Sequence, residues 1–351
     1  MQNIDIPLLS AICKAPGAPG FEREIRNLIL KEVKLLSNNV TLDNMGNITV
    51  TIPGKSEEKL MLAAHMDEIG FIVTHIDKQG FVRFHTLGGF DPKTLTAQRV
   101  LIHGKKSLVG VMGSKPIHVM SDAERTKSPK TTDYFIDLGM NKEEVEKYIS
   151  VGDSITRERD LIEMGDCVNC KSIDNRVSVY VLIELLKKLQ NTTPPVTVCA
   201  VFTVQEEVGI RGASVATQTI KPSWALAIDT TIAFDVPGAA DHEKITELGK
   251  GVAIKIMDTS AICDYRMIAN LKTVAEQNKI TYQTEILTGG GTDTMALQRM
   301  TAGGSIAGAI SIPTRHIHQV IEMAHKQDIA NAIMLLHGFI TEIDQLPWKH
   351  D

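Results

Sequence analysis

A chain of 351 residues with 43% apolar and 23% charged side chains has enough apolar material for a sizeable core in one large or two linked domains. Its net charge of −5 gives no basic footprint for nucleic acid or acidic membranes, and no apolar run approaches the ~20 residues that span a bilayer. The stretch from Met1 to Pro7 lacks the basic and apolar regions of a signal peptide, and five cysteines, an odd number, fit a reducing cytoplasm better than a disulfide framework.

In chain order, residues 4–36 carry apolar side chains at helical spacing, first Leu8, Leu9 and Ile12, then Ile25, Leu28, Ile29, Val33 and Leu36. Pro16, Gly17, Pro19 and Gly20 must break that pattern. Ile48–Ile52 and Leu60–Ala64 read as strands on either side of a turn beginning at Pro53. Short alternating stretches follow at Phe71–His75, Phe81–Phe84, Val100–His103 and Val109–Met112, with one helix at Asn141–Ile149. That spacing predicts a small β-barrel or sandwich. From Lys171 helix and strand alternate: helix Val177–Leu189, strands Val196–Val204 and Trp224–Ile228, helix Asp264–Gln277, strand Thr281–Leu287 and a closing helix Asp328–Ile343. The pattern predicts an α/β layered domain made of residues 1–70 and 160–351, with a β-rich domain, 71–159, inserted into it.

Carboxylates and imidazoles gather at the ends of the apolar runs. Gln205, Glu206 and Glu207 close Val196–Val204, at the sheet edge where open α/β folds bind ligands. His65 and Asp67 follow Leu60–Ala64; on an extended chain they share a side, so Asp67 can accept the ring N–H of His65 or simply cap a turn. Asp174 precedes a helix, where Asp is a favoured cap, and Asp229 closes a strand, where Asp starts turns. His316 and His318 share a face of the alternating stretch Ile312–His318.

Together, His65, Asp174, Glu207, Asp229 and His318 form a donor set that suits zinc or cobalt and accepts manganese. Five ligands exceed what one catalytic zinc takes from protein and fit two ions sharing a bridging carboxylate and a water. Glu206 is then left to take and deliver a proton as general base. Neighbouring residues on a flat strand face opposite ways, so the chain must bend at Gln205–Glu207 for both glutamates to face one centre.

The stretches Ala64–Gly70, Ile173–Arg176, Gln205–Gly209 with Arg211–Ala213, Ala227–Asp229, Gly290–Asp293 and Ile312–His318, in that order, resemble the M42 family of dinuclear metallo-aminopeptidases. Ala15–Glu22 extends the resemblance, which runs through nearly the whole chain. It implies a layered mixed-sheet zinc-peptidase (phosphorylase/hydrolase-like) catalytic domain with an inserted small β-barrel-like domain. It also implies two divalent ions per subunit and removal of N-terminal residues from peptides. His65 and Asp229 would hold one ion and Glu207 and His318 the other, with Asp174 bridging. Glu206 would be the general base and Asp67 the residue that orients His65. Dimers formed through the inserted domain would assemble into a dodecamer. The chain departs from the family pattern at His316, commonly Tyr, at Gln319-Val320, often Ser-Pro, and at Thr294-Met295-Ala296, where small residues are usual. These differences bear on specificity more than on catalysis.

Two other classes compete. A di-metal deacylase or carboxypeptidase would keep the ions and change the substrate, but in such relatives the accessory domain follows the Glu pair, whereas here it precedes it. A non-catalytic assembly protein with a relict site would not need an intact ligand set. A glycosidase needs carboxylates about 5–9.5 Å apart across a sugar bond, which adjacent Glu206 and Glu207 fit poorly. Cys167 and Cys170 have metal-ligand spacing but no second pair for a structural zinc, and Gly289–Gly291 lacks a P-loop ending, so a tight turn is the better account. His85, His103, His118 and His242 read as surface or barrel histidines.

Overall fold

Four parallel strands form the middle of an 11-stranded mixed sheet in the computed structural model, which describes residues 4–350. In spatial order they are Val196–Thr203, Ser56–His65, Trp224–Ile232 and Ile306–Arg315. Residues 60–65 and 198–203 are buried without interruption because both faces of the sheet are covered. Alternation divides them between two cores. Leu60 and Leu62 point to the face packed by helices Ile6–Lys14, Ile173–Leu189 and Lys326–Glu342. Met61 and Ala63 meet Ala216 and Leu297 of helices Arg211–Ile220 and Thr294–Arg299 on the other face. The Ile173–Leu189 helix is buried nearly all round, and each of its fully buried Leu, Ile or Val side chains contributes about 1.5–3 kcal/mol.

Between the Ser56–His65 strand and Ile162–Met164 the chain builds a closed barrel of six antiparallel strands. Around the barrel these are Gly70–Ile76, Val82–Leu87, Phe135–Asp137, Ser107–Gly113, Arg99–His103 and Ser154–Arg157. It has its own core, including Phe71, Val100, Ile102, Ile136 and Ile155. Closure leaves no open strand edge.

Several sequence expectations shift. The Ala15–Gly20 break separates helices Ile6–Lys14 and Arg23–Val33; a Cβ on Gly17 would stand 2.6 Å from the Arg176 guanidinium, so the close approach requires glycine. The expected helix Asn141–Ile149 shortens to Lys142–Glu146, with Asn141 as its cap. The Trp224 strand runs on to Ile232, so Asp229 lies inside a strand and starts no turn. The Ile306–Arg315 strand ends before His316, and His316 and His318 take left-handed backbone angles of 62° and 65° in the following turn. They share no strand face; a turn, not alternation, aims them.

Candidate metal centre

Every side chain of the predicted ligand set converges above the C-terminal ends of the four parallel strands. His65 is the last residue of its strand and pairs in register with Thr203, after which the neighbouring chain continues to Glu206 and Glu207. Asp229 comes from the adjacent Trp224–Ile232 strand and His318 from the turn after Ile306–Arg315. Asp174 enters from the start of Ile173–Leu189, where Asp174 and Asn175 depart from helical geometry. Asp174 is no helix cap: the cap position falls to Ser172, and the Asp174 carboxylate faces the cluster with Oδ1 free of any hydrogen bond, while its N–H donates to Glu322 at 2.9 Å.

Asp174 stands between the two imidazoles. Its Oδ1 lies 3.4 Å from His65 Nε2 and its Oδ2 lies 3.4 Å from His318 Nε2. His65 Nε2 also sits 3.7 Å from Asp229, and His318 Nε2 sits 3.4 Å from Glu207. Two donor groups result, His65–Asp174–Asp229 and Asp174–Glu207–His318, each with ligand atoms within 4.8 Å of one another. Asp174 Oδ1 and Glu207 Oε1 are buried without a hydrogen-bond partner. Mixed imidazole and carboxylate donors with orphaned oxygens fit divalent metal, and Asp174 belongs to both groups.

The required bend is present. The strand stops at Thr203, and Gln205 takes a left-handed φ of 54°. Three successive amides then meet carboxylates: Gln205 N–H donates to Glu22 at 3.2 Å, and those of Glu206 and Glu207 donate to the two oxygens of Asp67 at 3.0 and 3.1 Å. Asp67 thus does more than face His65. Its Oδ1 lies 3.4 Å from His65 Nδ1, whose hydrogen-bond partner is the Asp67 carbonyl at 3.2 Å. The same residue fixes one imidazole and aims both glutamates.

Charges respond to this crowding. Burial opposes the charged ring of His318, but Glu207 and Asp174 overbalance it and push it up to about 11. Burial works against ionisation of Asp174 as well, yet the His318 and His65 rings hold it well below the usual carboxylate range. Burial pushes Asp229 up to about 6, with His65 opposing. Glu206 rises well above the ordinary range through burial, against the pull of His65 and with Asp229 and Glu207 adding to the rise. Such a concentration of buried carboxylates needs cationic partners to remain ionised.

Sequence reasoning left several contributors without a role. Asp293, quoted only within a motif, accepts the Thr203 hydroxyl at 2.7 Å and is pushed up to about 7 by burial. Glu322 accepts from both Asp174 N–H and His318 N–H at 2.9 Å. Behind Asp67, Glu68 is buried and takes both oxygens to Lys171 Nζ at 2.7 Å, with Arg176 Nη2 at 3.6 Å. All five cysteines are free thiols, and among the described residues Cys167 and Cys170 join no metal-donor group.

The centre opens into a cleft of about 790 Å³. Ile210, Ile232, Phe234, Val236, Leu287 and Ile317 supply its apolar walls, and the Gly289–Gly291 turn one rim. His316 lines the same cleft outside both donor groups, and so does Gly89, which enters from the barrel side.

A family model described as M42 glutamyl aminopeptidase matches residues 46–335. The chain is 32% identical over 350 residues to a lysyl aminopeptidase of Pyrococcus furiosus, covering 97% of this chain and 98% of that protein. The solved structure of an aminopeptidase from the archaeon Desulfurococcus kamchatkensis superposes with a TM-score of 0.92 at 38% identity, covering 96% of this chain and 94% of that one. The TET1 peptidase of Pyrococcus horikoshii, described as able to assemble into a tetrahedron or a large octahedral shell, gives 0.87 at 32% identity over 96% and 99%.

Proposed function

The chain belongs to the M42 family of aminopeptidases, and we propose that its cleft holds two divalent ions and cleaves neutral N-terminal residues from peptides. Asp174 carries the reading, with one oxygen turned to each imidazole. His65, Asp229 and Asp174 would hold one ion; Glu207, His318 and Asp174 would hold the other. Zinc and cobalt suit these donors best, and manganese is accepted. When bound, the ions supply Lewis-acid charge that acidifies water and polarises a peptide carbonyl. Glu206 takes the proton of the attacking water and returns it to the leaving amine. Asp67 holds the Glu206 backbone so that the carboxylate faces the cleft.

A free α-amine is favoured over a free carboxylate. No lysine or arginine is among the residues lining the cleft, so a C-terminal carboxylate finds no guanidinium or ammonium to clamp it outside the metal centre, while Glu206, which neither donor group uses, can attract an ammonium. This argues against the carboxypeptidase alternative, and the complete donor set argues against a relict site.

The apolar walls also speak to the side chain. Nearby charges are already neutralised: Arg315 is bound by Asp235 through two contacts of 2.6 and 2.7 Å, and buried Lys255 is bound by Glu285. A charged N-terminal side chain would be desolvated there without a partner. Leucyl and methionyl substrates are expected to exceed glutamyl and lysyl ones by roughly 100-fold in kcat/KM. A panel of aminoacyl chromophores with Zn²⁺, Co²⁺ and Mn²⁺ measures this. Preference for Glu or Lys would overturn the neutral-residue reading, whereas cleavage of N-acylated substrates alone would overturn aminopeptidase specificity.

The chain is further proposed to self-associate through its barrel, in a reducing cytoplasm consistent with its free thiols. Among the described residues, no helix is long and apolar enough to cross a membrane. Val109 and Val111 alternate outward from Ser107–Gly113 and are 57% and 49% exposed. Replacing both by Asp is expected to lower the particle mass seen by light scattering towards that of one chain; an unchanged mass would place the contact elsewhere.

A further inference from the structure

His318 keeps a left-handed backbone, which costs a non-glycine residue about 1–3 kcal/mol and persists only where its surroundings over-determine it. Two buried polar side chains do so here. Glu322 accepts the His318 N–H through Oε1 at 2.9 Å and, through Oε2, the Asp174 N–H at the same distance. Arg157 donates from Nη1 to the His318 carbonyl at 3.0 Å. Glu322 is 1% and Arg157 3% exposed. The guanidinium packs over the Phe90 ring at 5.5 Å, and its Nε and Nη2 are buried without a hydrogen-bond partner. An arginine this deeply buried, with one hydrogen bond made and two nitrogens left idle, is hard to explain as packing.

Its origin is equally informative. Arg157 ends the Ser154–Arg157 strand of the barrel, while His318 and Glu322 belong to the catalytic layer. Gly89 also reaches the ring of His318 from the barrel side; a Cβ there would stand 3.5 Å from His318 Nδ1. The barrel therefore contributes directly to the surroundings of one ligand.

We propose that Arg157 and Glu322 are positioning residues which clamp the backbone of His318 and Asp174 from opposite sides, and so set the affinity of the ion held by Asp174, Glu207 and His318. The inference rests on the two-ion reading above. Arg157 acts on one site selectively, because its one hydrogen bond goes to His318, whereas Glu322 also holds Asp174, which both donor groups share. Partners that orient metal ligands typically govern affinity by about 10–100-fold.

Titration of the metal-free chain with Zn²⁺ alone, followed by calorimetry, tests it. Wild type is expected to take up two ions. Arg157→Ala should bind the first with nearly wild-type affinity and the second about 10–100-fold more weakly, with Arg157→Lys recovering most of the loss. Glu322→Gln, which keeps the side-chain shape and one acceptor, should weaken the second ion in the same direction. A general packing defect would instead lower both affinities together, without rescue by Lys. Equal loss at both sites in Arg157→Ala, or unchanged binding of the second ion in Arg157→Ala and Glu322→Gln, overturns the clamp. A wild-type chain that takes up only one ion overturns the two-ion reading, and the clamp with it, before any variant is compared.

Discussion

Glu206→Gln is expected to keep two ions per chain and lose about 10²–10⁴-fold in kcat. The separation follows from where each atom of residue 206 is bound. Its N–H holds the bend through Asp67, a contact that the amide side chain leaves intact. Its carboxylate is outside both donor groups and lies 4.0 Å from His65 Nε2, its end facing the cleft. Gln has the shape of Glu but cannot accept and return a proton, so kcat falls while KM and metal content stay near wild type. Metal analysis of the purified variant beside steady-state kinetics on a leucyl chromophore checks both halves. Wild-type turnover, or loss of an ion, would each remove Glu206 from the proton-carrying role.

Why the ligand set was legible lies in the topology. Each of His65, Glu207 and Asp229 sits in or just beyond an apolar strand, and parallel strands end together at one edge of the sheet. A carboxylate or imidazole in that position stands out because packing gives it no purpose. The bend at Gln205 was legible for the same reason: adjacent glutamates on a flat strand cannot face one centre, and the chain resolves this with a positive φ.

Other features carried no such signal. The Ile306–Arg315 strand is rich in small residues: a Cβ on Gly308 would meet Met267 at 2.8 Å on one face, and Ala307 and Ala309 pack with Ala216 and Leu297 on the other. Small residues give little hydrophobic periodicity, so a central strand read only as a short stretch at its far end. Arg157 and Glu322 are separated by more than 160 positions, and charged residues ordinarily read as surface. Their convergence on His318 depends on closing the barrel and returning the chain to the sheet, which no local pattern encodes. Asp174 was ambiguous in the opposite sense, since its sequence context suits a cap and only the fold shows its two oxygens turned to His65 and His318.

Asp174→Ala is expected to abolish uptake of both ions, whereas His318→Ala loses only the ion it shares with Glu207. Asp174 belongs to both donor groups, so its removal leaves His65 and Asp229 on one side and Glu207 and His318 on the other, each a pair with no bridge. Two ligands hold a divalent ion far less firmly than three, and the ions also lose the carboxylate that offsets their mutual repulsion. Stability separates this from a damaged fold. In wild type, bound ions stabilise the native chain by about 4 kcal/mol when present at roughly 1,000 times their dissociation constant. Chelation should therefore lower the melting temperature of wild type and of Glu206→Gln, and leave Asp174→Ala unmoved. Metal-free Asp174→Ala should still melt in one cooperative transition, somewhat below metal-free wild type, because the His318 and His65 rings favour the ionised Asp174 carboxylate in the fold. Calorimetric scans with and without chelator read both comparisons, and a chelator-sensitive Asp174→Ala would show that the ions are held without the bridge.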